Sequence, residues 1–192
     1  MCIRDRAGRA LIISIMAGIR IGALQGWCGK DLSIVRAMPN RPALLGAGAT
    51  ALYAPPDTPR ALASEIMGAV GAVVWLASED QLDIVTALSG SGPAYFFRLA
   101  ELMMQAAVNL GLDAEVARLL AIETLHGAGV LAHASDGDLA RLRAEVTSKG
   151  GTTAAALQVL DAEPGLATLV QRAVDAAAQR SRAISREFGA GA

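Results

Sequence analysis

The densest concentration of reactive groups in this 192-residue chain is the run Thr147-Ser148-Lys149-Gly150-Gly151-Thr152-Thr153, which leads straight into a helical pattern. Two glycines let the backbone turn sharply and approach a ligand closely. The first N–H groups of a helix have no partner inside it and lie at the positive end of its dipole, so such a start suits an anion. The hydroxyls and Lys149 add further donors. A carboxylate or a phosphate fits this chemistry. An N-capped helix after a flexible loop fits the same residues, although a single hydroxyl would serve it.

Two more runs combine glycine, proline and polar side chains. Leu88-Ser89-Gly90-Ser91-Gly92-Pro93-Ala94-Tyr95 sets Ser91 between glycines, but the Gly-x-Ser-x-Gly elbow of hydrolases needs glycine at 89, where Ser89 stands. The run also follows a helix-like segment, not a strand. A tight helix-to-helix turn is therefore expected, with Pro93 opening the next helix. Arg36-Ala37-Met38-Pro39-Asn40-Arg41-Pro42-Ala43 places two prolines in a rigid loop at the carboxyl end of a strand, where open α/β sheets bind ligands. Gly26-Trp27-Cys28-Gly29-Lys30 fails as a phosphate loop: the earlier glycine is missing and Asp31 replaces Ser or Thr. His126 and His133 fall two turns apart on one helix, too far to share a metal, and no metal site is expected.

The elements that must hold these runs change character along the chain. Residues 9–16 are β-branched and nearly continuous in apolar side chains, which predicts a strand buried on both faces of a parallel sheet. A short helix over 19–27 follows, then strands over 32–38 and 49–54, each stopped by proline. Beyond Pro55-Pro56 the pattern is helical. Asp57 or Thr58 is positioned to cap a helix starting at Pro59. Residues 72–76 read as a short strand or as its continuation, and residues 79–88 as a short helix. Longer helices are expected over 93–110, 113–133, from Asp138 to about Val146, over 152–160 and over 165–188, with Asp113 and Asp138 as caps.

Composition narrows the function. Seventeen Lys and Arg against 18 Asp and Glu leave a net charge of -1, and the pI near 6.1 argues against a nucleic-acid partner. Hydrophobic residues form 53% of the chain and aromatics only 4%, which favours closely packed, alanine-rich helices. Mean hydropathy is +0.41, yet no uncharged window reaches the roughly 18–20 apolar residues of a membrane span. Arg4, Arg6 and Arg9 before the apolar run 10–19 imitate a secretory signal, but Asp5 interrupts the basic stretch and no small-residue cleavage site follows. Cys2 and Cys28 are too few for a disulfide framework, so a reducing, cytoplasmic setting is expected.

Together the three runs resemble the pyrroline-5-carboxylate reductases, the family that completes proline biosynthesis. The family's Ser-Gly-Ser-Gly-Pro-Ala-Tyr run stands intact at 89–95. Its Thr-Ser-Pro-Gly-Gly-Thr-Thr run stands at 147–153 with Lys149 in place of proline, and its Met-Pro-Asn-Thr-Pro-Ala run at 38–43 with Arg41 in place of threonine. Ile13-Ser14-Ile15-Met16-Ala17-Gly18-Ile19 is similar to the family's last cofactor-domain strand and turn. Order and spacing agree from about residue 9 to residue 188.

The resemblance implies a mainly α protein: a partial α/β, Rossmann-type fragment at 9–56 and a helical dimerisation and substrate-binding domain at 57–192. It implies reduction of 1-pyrroline-5-carboxylate to L-proline by hydride from NADPH or NADH, in a homodimer or higher homo-oligomer, with no nucleic-acid or membrane partner. Ser148, Gly150, Gly151, Thr152 and Thr153 would bind the substrate, the backbone N–H groups holding its carboxylate. The Thr153 hydroxyl would be the catalytic contact, bonding the ring nitrogen. Ile15, Met16, Ala17 and Asn40 would line the cofactor. The family opens with a strand, a glycine-rich turn and a helix, and nothing similar precedes residue 9, so 1–8 are expected to be an unrelated leader. An incomplete copy lacking the pyrophosphate cradle follows, with a non-catalytic helical dimerisation module as the alternative.

Overall fold

The computed structural model describes residues 10–29 and 32–189; the expected leader and Lys30-Asp31 lie outside them. Four strands, β1 (Leu11–Ser14), β2 (Ser33–Met38), β3 (Gly48–Tyr53) and β4 (Gly71–Trp75), form one sheet in the order β1-β2-β3-β4. Helix α1 (Ile21–Cys28) crosses from β1 to β2 and α2 (Ala61–Gly68) from β3 to β4, and both strand pairs are parallel. The expected parallel sheet is corrected at its centre, where β2 and β3 run antiparallel with Ala37 opposite Leu52. Only residues 39–47 join these two strands. A parallel crossover needs about a dozen residues or more, so the chain turns back through a 3₁₀ turn at Arg41–Leu45.

Strand alternation sends successive β2 side chains to opposite faces. Ile34 packs with Ile19, Ile21, Ala23 and Leu24 on the α1 side. Val35 and Ala37 pack with Leu52, Ala54, Ala63 and Met67 on the α2 side. Burial on both faces thus belongs to β2. It does not extend to β1, whose residues 11–13 are half-buried, because β1 lies at the edge of the described sheet with a single neighbour. At the other edge the chains approach so closely that a Cβ on Gly71, at φ +145°, would stand 2.1 Å from the Gly48 carbonyl oxygen. Glycine is required there. Of residues 72–76, all but Leu76 lie in strand β4, not in a helix.

The α2 cap departs from expectation: Arg60 precedes the helix in αR conformation without a side-chain cap, so Asp57 and Thr58 lie outside it. Helix α3 (Gln81–Val85) runs into a π turn at Thr86–Gly90 and then into α4 (Gly92–Asn109). The expected tight turn at 89–93 is thereby replaced by a widened helical turn, closed by the Ser91 N–H on the Thr86 carbonyl at 2.8 Å. Helices α5 (Ala114–Ala134), α6 (Leu139–Glu145), α7 (Thr152–Asp161) and α8 (Leu166–Gly189) follow. Asp113 caps α5 by accepting from Glu115 and Val116, and Asp138 caps α6 by accepting from Arg141.

Two compact units result, dividing at Pro93 and Arg172, further along than the change of composition at 56. The first contains the sheet, α1–α3, the π turn and the end of α8, whose Ala178, Ser181 and Ser185 are buried. The second comprises residues 94–171. Among its apolar side chains only Ala117 is buried, while Phe96, Phe97, Leu119, Leu120, Ile122 and Leu131 are exposed. No described helix is long and apolar enough to cross a membrane.

Leu52 is fully buried in the α2-side core. Truncating such a side chain costs both its transfer free energy and a cavity. Leu52→Ala should lower stability by about 3 kcal/mol, read as a fall in urea midpoint at constant m-value. A loss below about 1 kcal/mol would contradict this core assignment.

Candidate functional site

In the first unit, the residues expected to face the cofactor emerge at the carboxyl ends of β1 and β2. Ile15 and Met16 are 62% and 52% exposed, and Ala17 is exposed too. Apolar side chains displayed just past a strand end are suited to covering a flat ring. Asn40, one turn beyond β2, is half-buried. Its Oδ1 accepts from the Ala49 N–H at 2.9 Å, and its Nδ2 donates to the Ser89 carbonyl at 3.1 Å. The side chain therefore ties β2, β3 and the π turn together, leaving one amide hydrogen for a ligand. A Cβ on Gly90 would lie 2.7 Å from the Met38 methyl, so the glycine run packs onto this same loop. In the π turn the Thr86 hydroxyl donates to Leu82 and the Ser89 hydroxyl to Val85, at 2.7 and 3.3 Å. The Ser89 hydroxyl is thus bound to the helix backbone. Arg41 is exposed.

Sequence reasoning missed the charged group that holds these loops. Arg36 is 6% exposed, and its Nη1 meets Glu79 Oε1 at 2.9 Å. The same oxygen accepts from the Ile21 N–H, the first residue of α1, at 2.8 Å. One carboxylate thus joins β2, the start of α1 and the approach to α3. Buried ions are tolerated only when paired and hydrogen-bonded, which explains the double use of Oε1. Arg36 Nε and Thr50 Oγ1 remain buried without a partner among the described residues. Next to the pair, Arg20 Nη2 lies 2.5 Å from Asp80 Oδ1, and this hydrogen bond raises the Arg20 pKa above its ordinary value. Asp83, 4% exposed, accepts from the buried Ser181 hydroxyl at 2.5 Å. The available signals were an arginine inside the apolar stretch of β2 and the acidic pair Glu79-Asp80.

In the second unit, the run 147–153 forms the turn into α7. Gly150 takes φ +73°, a left-handed conformation that glycine reaches without strain. Gly151 is the N-cap and no side chain caps the helix. The Gly151 N–H already donates to the Ser148 carbonyl at 3.1 Å. The open donors are therefore those of Thr152, Thr153 and the residue after them. The Ser148 hydroxyl sits beside Gly151, where a Cβ would meet it at 2.3 Å. Lys149 is exposed, and Thr153 is half-buried.

A small mixed sheet with loops displayed at its strand ends, carried in one chain with a helical unit that has almost no core, defines a mainly α protein with a partial α/β fragment and a helical assembly domain. The family model for pyrroline-5-carboxylate reductase dimerisation matches residues 79–184. The chain is 45% identical over 182 residues to the pyrroline-5-carboxylate reductase of Pseudomonas aeruginosa, covering 93% of this chain and 66% of that protein. Identity to the Haemophilus influenzae reductase is 43% over 182 residues, covering 93% and 67%. The solved Coxiella burnetii reductase gives a TM-score of 0.89 at 41% identity, over 95% of this chain and 69% of that one. The Plasmodium falciparum reductase, solved with NADP bound, gives 0.83 at 31%, over 95% and 74%. The chain belongs to the pyrroline-5-carboxylate reductase family, and it spans about two thirds of the length of these curated relatives.

Removing one partner of a buried ion pair strands the other charge, whereas replacing both with apolar groups is often neutral. Glu79→Ala should therefore cost about 3 kcal/mol in urea unfolding, and adding Arg36→Met should recover at least half of that loss. An unchanged midpoint for Glu79→Ala would contradict the role given to this carboxylate.

Proposed function

We propose that the protein takes part in the reduction of 1-pyrroline-5-carboxylate to L-proline by NADPH or NADH, the last step of proline biosynthesis, in the cytoplasm. The observation that carries this reading is the uncapped first turn of α7 behind a left-handed Gly150, in a chain of this family. Its N–H groups at Thr152 and Thr153, with the Ser148 hydroxyl alongside, suit the substrate carboxylate. The Thr153 hydroxyl would hydrogen-bond the ring nitrogen and fix the C=N carbon for hydride attack. The dinucleotide supplies the hydride. Ile15, Met16 and Ala17 would cover its nicotinamide end, with Asn40 keeping the neighbouring loop in place.

The helical unit supports a homodimer or higher homo-oligomer. Its exposed Phe96, Phe97, Leu119, Leu120 and Ile122 form far more apolar surface than a lone helix pair sustains in water. A groove of about 470 Å³ runs between α4 and α5, lined by Phe96, Leu99, Met103, Leu125, Ala128 and Leu139 among others. A second copy of the same helices would fill it, as in isologous interfaces generally.

The substrate loop can be tested through the product. L-Proline titrated into the chain by calorimetry should bind saturably, and Thr153→Val should weaken it about 10-fold, the worth of one hydrogen bond to a charged group. Loss of reduced-nicotinamide absorbance on adding pyrroline-5-carboxylate tests the hydride step separately. Proline that never saturates the chain, or that binds Thr153→Val equally well, would overturn the loop assignment.

A further inference from the structure

A second cleft lies within the first unit, between α3 and the end of α8, and takes no part in the reductase reading. It has a volume of about 840 Å³ and is lined by Arg20, Asp80, Gln81, Asp83, Arg182 and Arg186, with Ile84 and Ser185. That size falls in the range of small-molecule sites, roughly 300–1,000 Å³.

The hydrogen-bonding capacity of the lining is lopsided. Its acceptors are occupied: Asp80 takes Arg20 at 2.5 Å, and Asp83 takes the buried Ser181 hydroxyl while lying 4.0 Å from Arg20. Gln81 Oε1 takes the N–H groups of both Ala77 and Ser78 at 3.1 Å. Its donors are not. Arg182 and Arg186 have no carboxylate partner among the described residues, and Gln81, which lines the same cleft, has a side-chain amide N–H₂ with no hydrogen bond to another described residue. Arg180, on the same stretch of α8, is by contrast paired with Glu187 at 2.8 Å. Arg182 and Arg186 stand one helical turn apart on one face, a like-charge spacing that is unfavourable until an anion lies between the two.

From this excess of donors we infer that the cleft binds the phosphate group of a small molecule. A carboxylate brings one negative charge and two oxygens, so bridging both guanidinium forks leaves one positive charge unbalanced and no oxygen for the amide. A phosphate ester offers three oxygens and a charge near -2, enough for both forks and the glutamine amide.

Inorganic phosphate titrated into the whole chain, followed by NMR on the Gln81 side-chain amide and the arginine Nε signals, tests this directly. Saturable shifts are expected at Gln81, Arg182 and Arg186. Arg182→Gln with Arg186→Gln should weaken phosphate at least 10-fold, and Arg143→Gln, an exposed arginine on α6, should leave it unchanged. Arg182→Lys keeps the charge but loses the fork. It is expected to weaken binding several-fold, and it serves if the double variant loses helical content. Acetate should bind at least 10-fold more weakly than phosphate. Shifts confined to residues 151–153, equal weakening by Arg143→Gln, or acetate binding as tight as phosphate would each overturn the assignment.

Discussion

The constraint on which the rest depends is that a helix with an apolar face must bury it. The first unit meets this internally, with sheet side chains facing α1 on one side and α2 on the other. Residues 94–171 do not meet it, since Ala117 is their one buried apolar side chain. Long helices such as α4 and α5 gain stability in water mainly by packing, because propensity alone leaves an isolated helix marginal. Under the proposed reading the missing packing comes from a second copy. The position of the α6–α7 loop, and with it Thr152 and Thr153, would then be set by the assembly.

Within the first unit, polar interactions do what the antiparallel reversal at 39–47 cannot do alone. That reversal is short, so β2 and β3 end up adjacent and Met38-Pro39-Asn40 protrudes from the strand end. Asn40 fixes the protrusion to β3 and to the π turn. Glu79 fixes the strand beneath it to the start of α1. The residues proposed to meet the dinucleotide therefore sit on a frame held by hydrogen bonds and one buried ion pair, and the loops need little stiffness of their own.

Much of this was legible in the sequence. Asp113 and Asp138 cap the helices they precede, because capping chemistry is local, and the run at 147–153 opens a helix through its glycine turn. The three glycine- and proline-bearing runs led to the family. Other features depended on long-range partners. The antiparallel β2–β3 pairing follows from connection length, which a strand-by-strand reading ignores. Edge exposure of β1 depends on how many strands flank it. The π turn at 86–90 keeps helical hydrogen bonds through Ser89 and Gly90, residues whose local preference is to break a helix. Glu79 was invisible as a functional residue because its partners, Ile21 and Arg36, are distant in sequence.

The central claim is that the helical unit is half of an interface, and the mass of the chain in solution tests it most directly. Sedimentation equilibrium of the intact protein should give twice the 19.7 kDa chain mass, or a higher multiple, at micromolar concentration. A monodisperse 19.7 kDa species with full helical content would contradict it, because the exposed faces of α4 and α5 would then be stable against water alone.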